Sequence, residues 1–249
     1  MSPLEYLRPE TLDEAIDLLD RGVPLAGGTR LIPNRGELTA VIDLQSVGLD
    51  QIILGDGWLK LGAAVTLQDL IDCSDIPGDL QEAARLEAGW NIRNMATLGG
   101  TIHDGDGRSA LLTTLTACFV TVHLQPGDRS MALETYLDFR AQDVPAHLAT
   151  AVDIELPDRL SYAYAGRSPA DRPIICTAAG WYAGKPEQVF MGVGGFGRKP
   201  QRIVAEDVDQ VREMTAAVYA ESADAWASAE YRVPAGGALA ERMFREVRS

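Results

Sequence analysis

Two short glycine motifs carry the chemistry this sequence offers. "PLAGGTRLIP" (Pro24 to Pro33) and "ATLGGTIHDGDG" (Ala96 to Gly107) each place Gly-Gly-Thr after an apolar run. Glycine is favoured wherever backbone dihedrals turn positive, so each string reads as a tight turn. Each also reads as an anion site. Successive backbone N–H groups in such a turn form a concave nest with partial positive charge. Without a Cβ, phosphate oxygens can approach the backbone, and the threonine hydroxyl adds a donor. Two nests suit the two phosphates of a dinucleotide. Arg30, directly after Thr29, would favour a phosphate. Asp104 and Asp106, beside the second motif, would repel one but could accept hydrogen bonds from ribose hydroxyls.

A third string, "GVGGFG", spells G-x-G-x-x-G at Gly192, Gly194 and Gly197. A dinucleotide fingerprint needs a helix opening straight onto the pyrophosphate, packed on a parallel sheet. Here "RKPQRI" follows, and Pro200 with no apolar 3.6-residue period denies that helix. A glycine-rich turn or bulge is expected instead. His103, His123 and His147 stand apart and form no Ser/His/Asp or Cys/His order. His103, next to the second motif, is the one placed to touch a ligand. His123 alternates with Val122 and Leu124 in a strand. Trp58, Trp90, Trp181 and Trp226 read as packing residues.

The composition narrows the partners. The chain has 249 residues, 46% apolar and 23% charged, with a net charge of −14. That balance argues against nucleic acid, which wants a basic stripe, and against anionic membrane surfaces. No apolar run reaches the roughly 18 residues of a membrane span, and "MSPLEYLRPE" lacks a signal-peptide pattern. A soluble, cytoplasmic protein without membrane insertion is expected. Cys73, Cys118 and Cys176 are widely separated, with no CxxC. A zinc site or iron–sulfur cluster held by this chain alone is therefore not expected, and no metal ligands are assigned.

The elements that position the motifs alternate. "TLDEAIDLLDRG" reads as an amphipathic helix that Thr11 and Glu14 open as a capping box. "VPLA" is a strand feeding the first motif, followed by strands at "TAVIDL" and "GWLKLGAAV". Thr66 with Asp69 starts another helix, and "DLQEAARLEA" is helical up to Gly89. Ser109 caps a helix at "SALLTTLTA", "CFVTVHL" is a strand and "PGD" turns it. After "VDIELPDR", three runs ("SYAYAG", "PIICTAAGWYAG", "EQVFMGVGGFG") read as an antiparallel meander with turns at Arg167–Arg172 and Lys185–Glu187. Pro169 and Pro186 sit in those turns. "AEDVDQVREMTAAVYA", "SADAWASAEYR" and "GALAERMFREV" read as three helices. The expected class is α+β. The boundary near Pro157 separates residues 1–157, with subdomains of about 1–55 and 56–157, from a three-stranded antiparallel sheet with helices over 158–249.

In order along the chain, "Y-x-R-P-x-T-L-D-E-A", "LAGGTRLIP", "VIDL", "LGAAVT" and "IRNMATLGGTI" resemble the FAD-binding medium subunit of the molybdenum hydroxylases, the family of the carbon monoxide dehydrogenase medium subunit and the xanthine dehydrogenase flavin domain. "GRSPADRPIICTAAG", "MGVGGFGRKPQRI" and "SAEYR" extend the likeness over nearly the whole chain. The resemblance implies a PCMH-type FAD-binding fold and an oxidoreductase flavoprotein of electron transfer within a heteromeric molybdopterin dehydrogenase. Both glycine motifs would wrap the FAD pyrophosphate. They map onto Ala26, Gly27, Gly28, Thr29 and Arg30, and onto Thr97, Leu98, Gly99, Gly100 and Thr101. An iron–sulfur subunit and a molybdopterin-containing large subunit would be the partners, and an external acceptor would take the electrons. The FAD would be non-covalent, since no Arg-x-Gly-His-like string occurs. The chain departs from the family in two places. Family members often have Asn after the second Gly-Gly and a later Asp, where this chain has Thr101 and, near that Asp, Ser109; Asp104 or Asp106 would substitute. They commonly have Lys before "GR", where this chain has Tyr164, which could stack on the flavin or hydrogen-bond to it but brings no positive charge. Two other readings stand at this stage: a member that has lost FAD, and a free-standing nicotinamide dehydrogenase built on "GVGGFG".

Overall fold

The computed structural model describes residues 4–33, 36, 38–142, 146–168 and 171–249. Three sheets follow one another along the chain. The first is parallel, in the order β1 (Glu5–Leu7), β3 (Ala40–Asp43), β2 (Val23–Leu25). Helix α1 (Leu12–Asp17) lies between β1 and β2 in sequence. Its N-cap Thr11 accepts from the Glu14 N–H at 3.2 Å, while the Glu14 carboxylate returns to the Glu10 N–H at 2.8 Å, one residue earlier than a full capping box needs. Ala15, Leu19, Ile42, Leu44 and Val47 pack as the small core of this layer.

The second sheet is antiparallel throughout. It begins with the hairpin β4 (Ile52–Gly55) and β5 (Trp58–Gly62). Five helices follow: α2 (Leu67–Asp72), α3 (Gly78–Glu87), α4 (Trp90–Arg93), α5 (Leu98–Asp104) and α6 (Ala110–Thr116). Strands β6 (Phe119–Gln125) and β7 (Arg129–Ala132), helix α7 (Leu133–Phe139) and strand β8 (Leu148–Glu155) complete it, in the order β4-β5-β8-β6-β7. Thr66 and Asp69 form the complete capping box expected for α2, and Ser109 caps α6 by accepting from the Leu112 N–H. The main core lies under this sheet, from Leu59 and Leu61 through Leu98, Leu111 and Leu115 to Ile154.

The third sheet holds β9 (Arg159–Ala165), β10 (Ile175–Trp181), β11 (Val189–Gly194) and β12 (Gln201–Ala205), antiparallel and in the order β12-β11-β10-β9. It has one strand more than the expected three, because "QRIVA" after Pro200 continues the meander. Pro169 lies outside the described residues. Helices α8 (Val208–Tyr219) and α9 (Ala229–Arg248) cover one face. Only two helices form where three were expected. "SADAWAS" stays irregular, and α9 runs through Pro234, Gly236 and Gly237 without a break. Gly236 has a packing reason to be glycine: a Cβ there would stand 2.2 Å from the Tyr219 ring.

Strands β10 and β11 are buried on both faces, and the two faces differ. Ile175, Ala179, Val189, Met191 and Val193 point to the core shared with α8 and α9. The alternate positions Cys176, Ala178, Gly180, Gly192 and Gly194 are small, as a close neighbour requires. That neighbour is α6. A Cβ on Gly192 would lie 2.0 Å from the Thr113 carbonyl oxygen, and one on Gly194 would lie 2.4 Å from the Thr113 hydroxyl. The α6 threonines Thr113, Thr114 and Thr116 are fully buried, and each returns its hydroxyl to the carbonyl four residues back. The G-x-G-x-x-G string is therefore a packing surface within an antiparallel sheet, and no helix opens after it. That removes the structural basis of the nicotinamide reading.

Candidate FAD site

Both glycine motifs line one cavity of about 270 Å³. Val23 through Leu31 form one wall. Ala96, Thr97, Gly99, Gly100 and Thr101 face them. His103, Asp104, Tyr136 and His147 also line it, as do Glu87, Ala88 and Ile92.

The first motif is a loop leaving β2, and it keeps the character of a nest. Gly28 has φ of 66°, a left-handed conformation that glycine adopts without strain. The Ile32 N–H returns to the Gly28 carbonyl at 3.0 Å and closes the turn. The N–H groups of Gly27, Gly28 and Thr29 bond to no acceptor among the described residues, so they are available to a ligand. Gly27 lies against the backbone that leads into the second motif: a Cβ there would stand 1.6 Å from the Met95 carbonyl oxygen. This contact sets how closely the two motifs approach.

The second motif is the first turn of α5 and not a second nest. Thr97 is its N-cap. The N–H groups from Leu98 to Thr101 already have protein acceptors: Leu98 bonds Val65 O at 2.8 Å and Gly99 bonds Ala63 O at 2.8 Å, while Gly100 bonds Thr97 Oγ1 at 3.2 Å and Thr101 bonds Thr97 O at 2.9 Å. Gly99 is pressed onto Ala63, whose Cβ and carbonyl oxygen would both lie 2.8 Å from an added Cβ. Gly100 differs. A Cβ there would meet only Thr97 Oγ1, at 3.2 Å, and would otherwise stand in open space. The second motif thus contributes the positive end of a short helix and a bare backbone surface, not free donors.

The remaining expected residues separate. Arg30 Nη1 donates to the Asp104 carbonyl at 2.6 Å and ties the first loop to the end of α5. Arg140 closes the same end by donating to the carbonyls of Ile102 and Gly105. Asp104 lines the cavity; Leu98 is fully buried in the core beneath it. Asp106 lies off the cavity wall and pairs with Arg172 through both oxygens, at 2.5 and 3.0 Å, while accepting from the Arg108 N–H at 2.8 Å. Burial raises its carboxyl, but the Arg172 pair and the Arg108 N–H outweigh burial and hold it below the usual carboxylate range. Tyr164 sits on β9, stacked with Tyr162 at 6.2 Å between ring centroids, also off the cavity wall.

Sequence reading missed Tyr136, His147 and Glu87, which also line the cavity. The Tyr136 hydroxyl contacts His103 Nδ1 at 3.0 Å and His147 Nε2 at 3.5 Å, joining residues from three distant segments. Burial lowers the His103 pKa, so neutral imidazole is favoured there. Glu87, at the end of α3, brings a carboxyl that no motif announced.

The residues present fit a dinucleotide pyrophosphate: open N–H groups on one wall, a helix start and a bare glycine on the other. The cavity lies between residues of the small parallel sheet and of the larger antiparallel one. The chain belongs to the family of FAD binding domains in molybdopterin dehydrogenases, whose pattern matches residues 2–158. FAD is the cofactor of that family. The chain is 32% identical over 139 residues to the uncharacterized protein YgfM of Escherichia coli K12, a match that spans 53% of each. It therefore spans about half the length of that relative. It is 26% identical over 216 residues to the glyceraldehyde dehydrogenase medium chain of Sulfolobus acidocaldarius, covering 79% of this chain and 77% of that one. The fold is shared with quinoline 2-oxidoreductase from Pseudomonas putida 86, at a TM-score of 0.84 and 19% identity over 99% of this chain and 97% of that one. It is shared equally with CO dehydrogenase from Oligotropha carboxidovorans, at a TM-score of 0.82 and 24% identity over 99% and 98%.

Proposed function

We propose that this chain is the FAD-binding electron-transfer subunit of a multi-subunit molybdenum hydroxylase, placed between an iron–sulfur subunit and an external electron acceptor. The observation that carries the reading is the convergence of the two glycine motifs on one cavity. Gly27 packs against the Met95 carbonyl, and three N–H groups remain open. Gly27, Gly28 and Thr29 would donate to the pyrophosphate. Arg30 and the start of α5 would offset its charge, and Gly100 would leave room for its oxygens. When bound, the flavin supplies the redox chemistry, and the chain binds, orients and shields it. Asp104, an acid on the cavity wall, would accept from a ribose hydroxyl.

The partner assignment has support on the surface. Trp90, Ile92 and Met95 are 66%, 46% and 56% exposed, an apolar patch where α4 meets the cavity wall. Such a patch beside a cofactor cavity suits a protein partner. No helix among the described residues is long and apolar enough to cross a membrane.

The experiment is a visible absorption spectrum of the purified chain, with heat release and mass identification of the cofactor. Released FAD near one per chain is the expected result. No flavin, either in the chain incubated with excess FAD or in complexes isolated from the native host, would overturn the reading and restore the member that has lost FAD. Co-purification from that host tests the partners: companion chains carrying iron–sulfur and molybdenum are expected, and a clean monomer would refute them.

A further inference from the structure

The pyrophosphate does not account for one carboxyl in the cavity. Glu87 ends α3 and lines the cavity beside Ala88 and Ile92. Its Oε1 accepts twice, from the Ser109 hydroxyl and from the Leu111 N–H at 2.8 Å. Ser109 is held in turn by accepting from the Leu112 N–H at 3.0 Å. These bonds fix the carboxyl in place. Its Oε2 accepts from no described residue, yet it is not among the polar atoms sealed inside the protein. Glu87 itself is one of the residues that line the cavity.

The surroundings disfavour a carboxylate at this position. Burial pushes the Glu87 carboxyl up, against the bonds from Ser109 and Leu111 and the charges of Arg172 and Arg30. Both guanidiniums have other acceptors, Arg172 in Asp106 and Arg30 in the Asp104 carbonyl. Arg85 on α3 pairs with Glu82, and Arg93 on α4 donates to Gln68 and to the carbonyls of Arg85 and Ala88. Cys176 on β10 and Tyr162 on β9 also face Glu87, and burial raises both, so they stay neutral. His103, Asp104 and His147 line the same cavity. A bound pyrophosphate would add two negative charges to the same space.

We propose that Glu87 faces the cavity as a neutral acid whose Oε2–H donates a hydrogen bond to bound FAD, so that FAD binding retains this proton. The inference rests on the FAD reading above. Below the titration of Glu87, FAD binds with no proton exchanged. Above it, each FAD bound takes up one proton, which returns to Glu87.

The test is FAD titration of the full chain by flavin fluorescence from about pH 5 to about pH 9, on wild type, Glu87→Gln and Ser109→Ala. Uptake of one proton makes wild-type affinity fall roughly tenfold per pH unit once pH exceeds the free-protein titration, until it passes that of the complex. Glutamine keeps an acceptor for Ser109 and Leu111 and a neutral donor toward the cavity, so Glu87→Gln should hold the low-pH affinity without that slope. Ser109→Ala removes a bond that lowers the Glu87 pKa, so the fall should begin at higher pH. A purely structural cap would lower the melting temperature of Ser109→Ala and leave that onset in place. A flat wild-type profile, or one slope shared by wild type and Glu87→Gln, overturns the proposal while the FAD reading stands. Failure of wild type to bind FAD at any pH overturns both. If Glu87→Gln does not fold, the shift or constancy of the Ser109→Ala onset decides.

Discussion

Gly100→Val should weaken FAD binding about a hundredfold without unfolding the protein. Gly100 is the third residue of α5 after its N-cap, a position that any L-residue can occupy. An added Cβ would meet only Thr97 Oγ1, at 3.2 Å, which relaxes by a few tenths of an ångström. Glycine within a helix costs about 1 kcal/mol relative to alanine, so Gly100→Ala should leave stability unchanged or raise it by up to about 1 kcal/mol. Valine should return to near wild type, since its branched side chain fits a helix less well. The cavity responds differently. A methyl or isopropyl group on this wall would occupy the space assigned to phosphate oxygens. A displacement of about an ångström breaks the short bonds from the opposite loop, and about 2.7 kcal/mol of lost binding is a hundredfold in affinity. Thermal melting and FAD titration on the same preparations separate the two effects. Gly27→Ala is the contrasting variant. Its Cβ would collide with the Met95 carbonyl at 1.6 Å, so the loops must part and stability should fall by about 1–3 kcal/mol. Gly28→Val should also lose stability, because its φ of 66° strains a branched residue. Gly100→Val that melts like wild type and binds FAD within threefold of it would refute the pyrophosphate assignment.

Three further outcomes follow from the same geometry. Arg30→Ala removes the bond to the Asp104 carbonyl and a charge beside the loop, so FAD affinity should fall by about 1–3 kcal/mol in a titration at constant ionic strength. Asp106 has its folded pKa depressed by the Arg172 pair against the opposing effect of burial. Its stabilisation should therefore be present above the ordinary aspartate range and lost as pH falls through the folded value. Asp106→Asn should flatten that acid limb in urea melts, by less than about 1 kcal/mol because both partners are partly exposed, and should leave FAD affinity unchanged. Met95→Asp should retain FAD but release the partner chains in a pull-down of the native complex, since it places a charge in the exposed patch.

The parts of this fold that could be read from sequence are those whose reason is local. Thr66 with Asp69, Ser109 before an apolar run, and the β-branched stretch "CFVTVHL" state their own structure; the two helices start at those caps, and the strand forms one residue later than expected, at Phe119–Gln125. The misses have distant causes. Pro234 and Gly236 look like helix breakers in sequence, but Gly236 is there to admit the Tyr219 ring, and the helix runs on because α8 packs against it. The two Gly-Gly-Thr strings look alike, yet they do different work. In the first, Gly28 takes a left-handed turn and leaves its neighbours' N–H groups open. In the second, Thr97 captures the Gly100 N–H and starts a helix. The threonine before the glycines makes that difference: Thr97 is a side-chain acceptor three residues ahead of Gly100, where the first string has Leu25 ahead of Gly28. That comparison could be made from sequence alone. The contact of Gly27 with Met95 could not, since only the packing of the first loop on the approach to α5 brings them together. The glycines of "GVGGFG" follow the same logic, for their purpose lies in Thr113, on a helix far earlier in the chain. A glycine motif therefore identifies its ligand only when the atoms that would meet its missing Cβ are known. Here they are protein for Gly27, Gly99, Gly192 and Gly194, and cavity for Gly100.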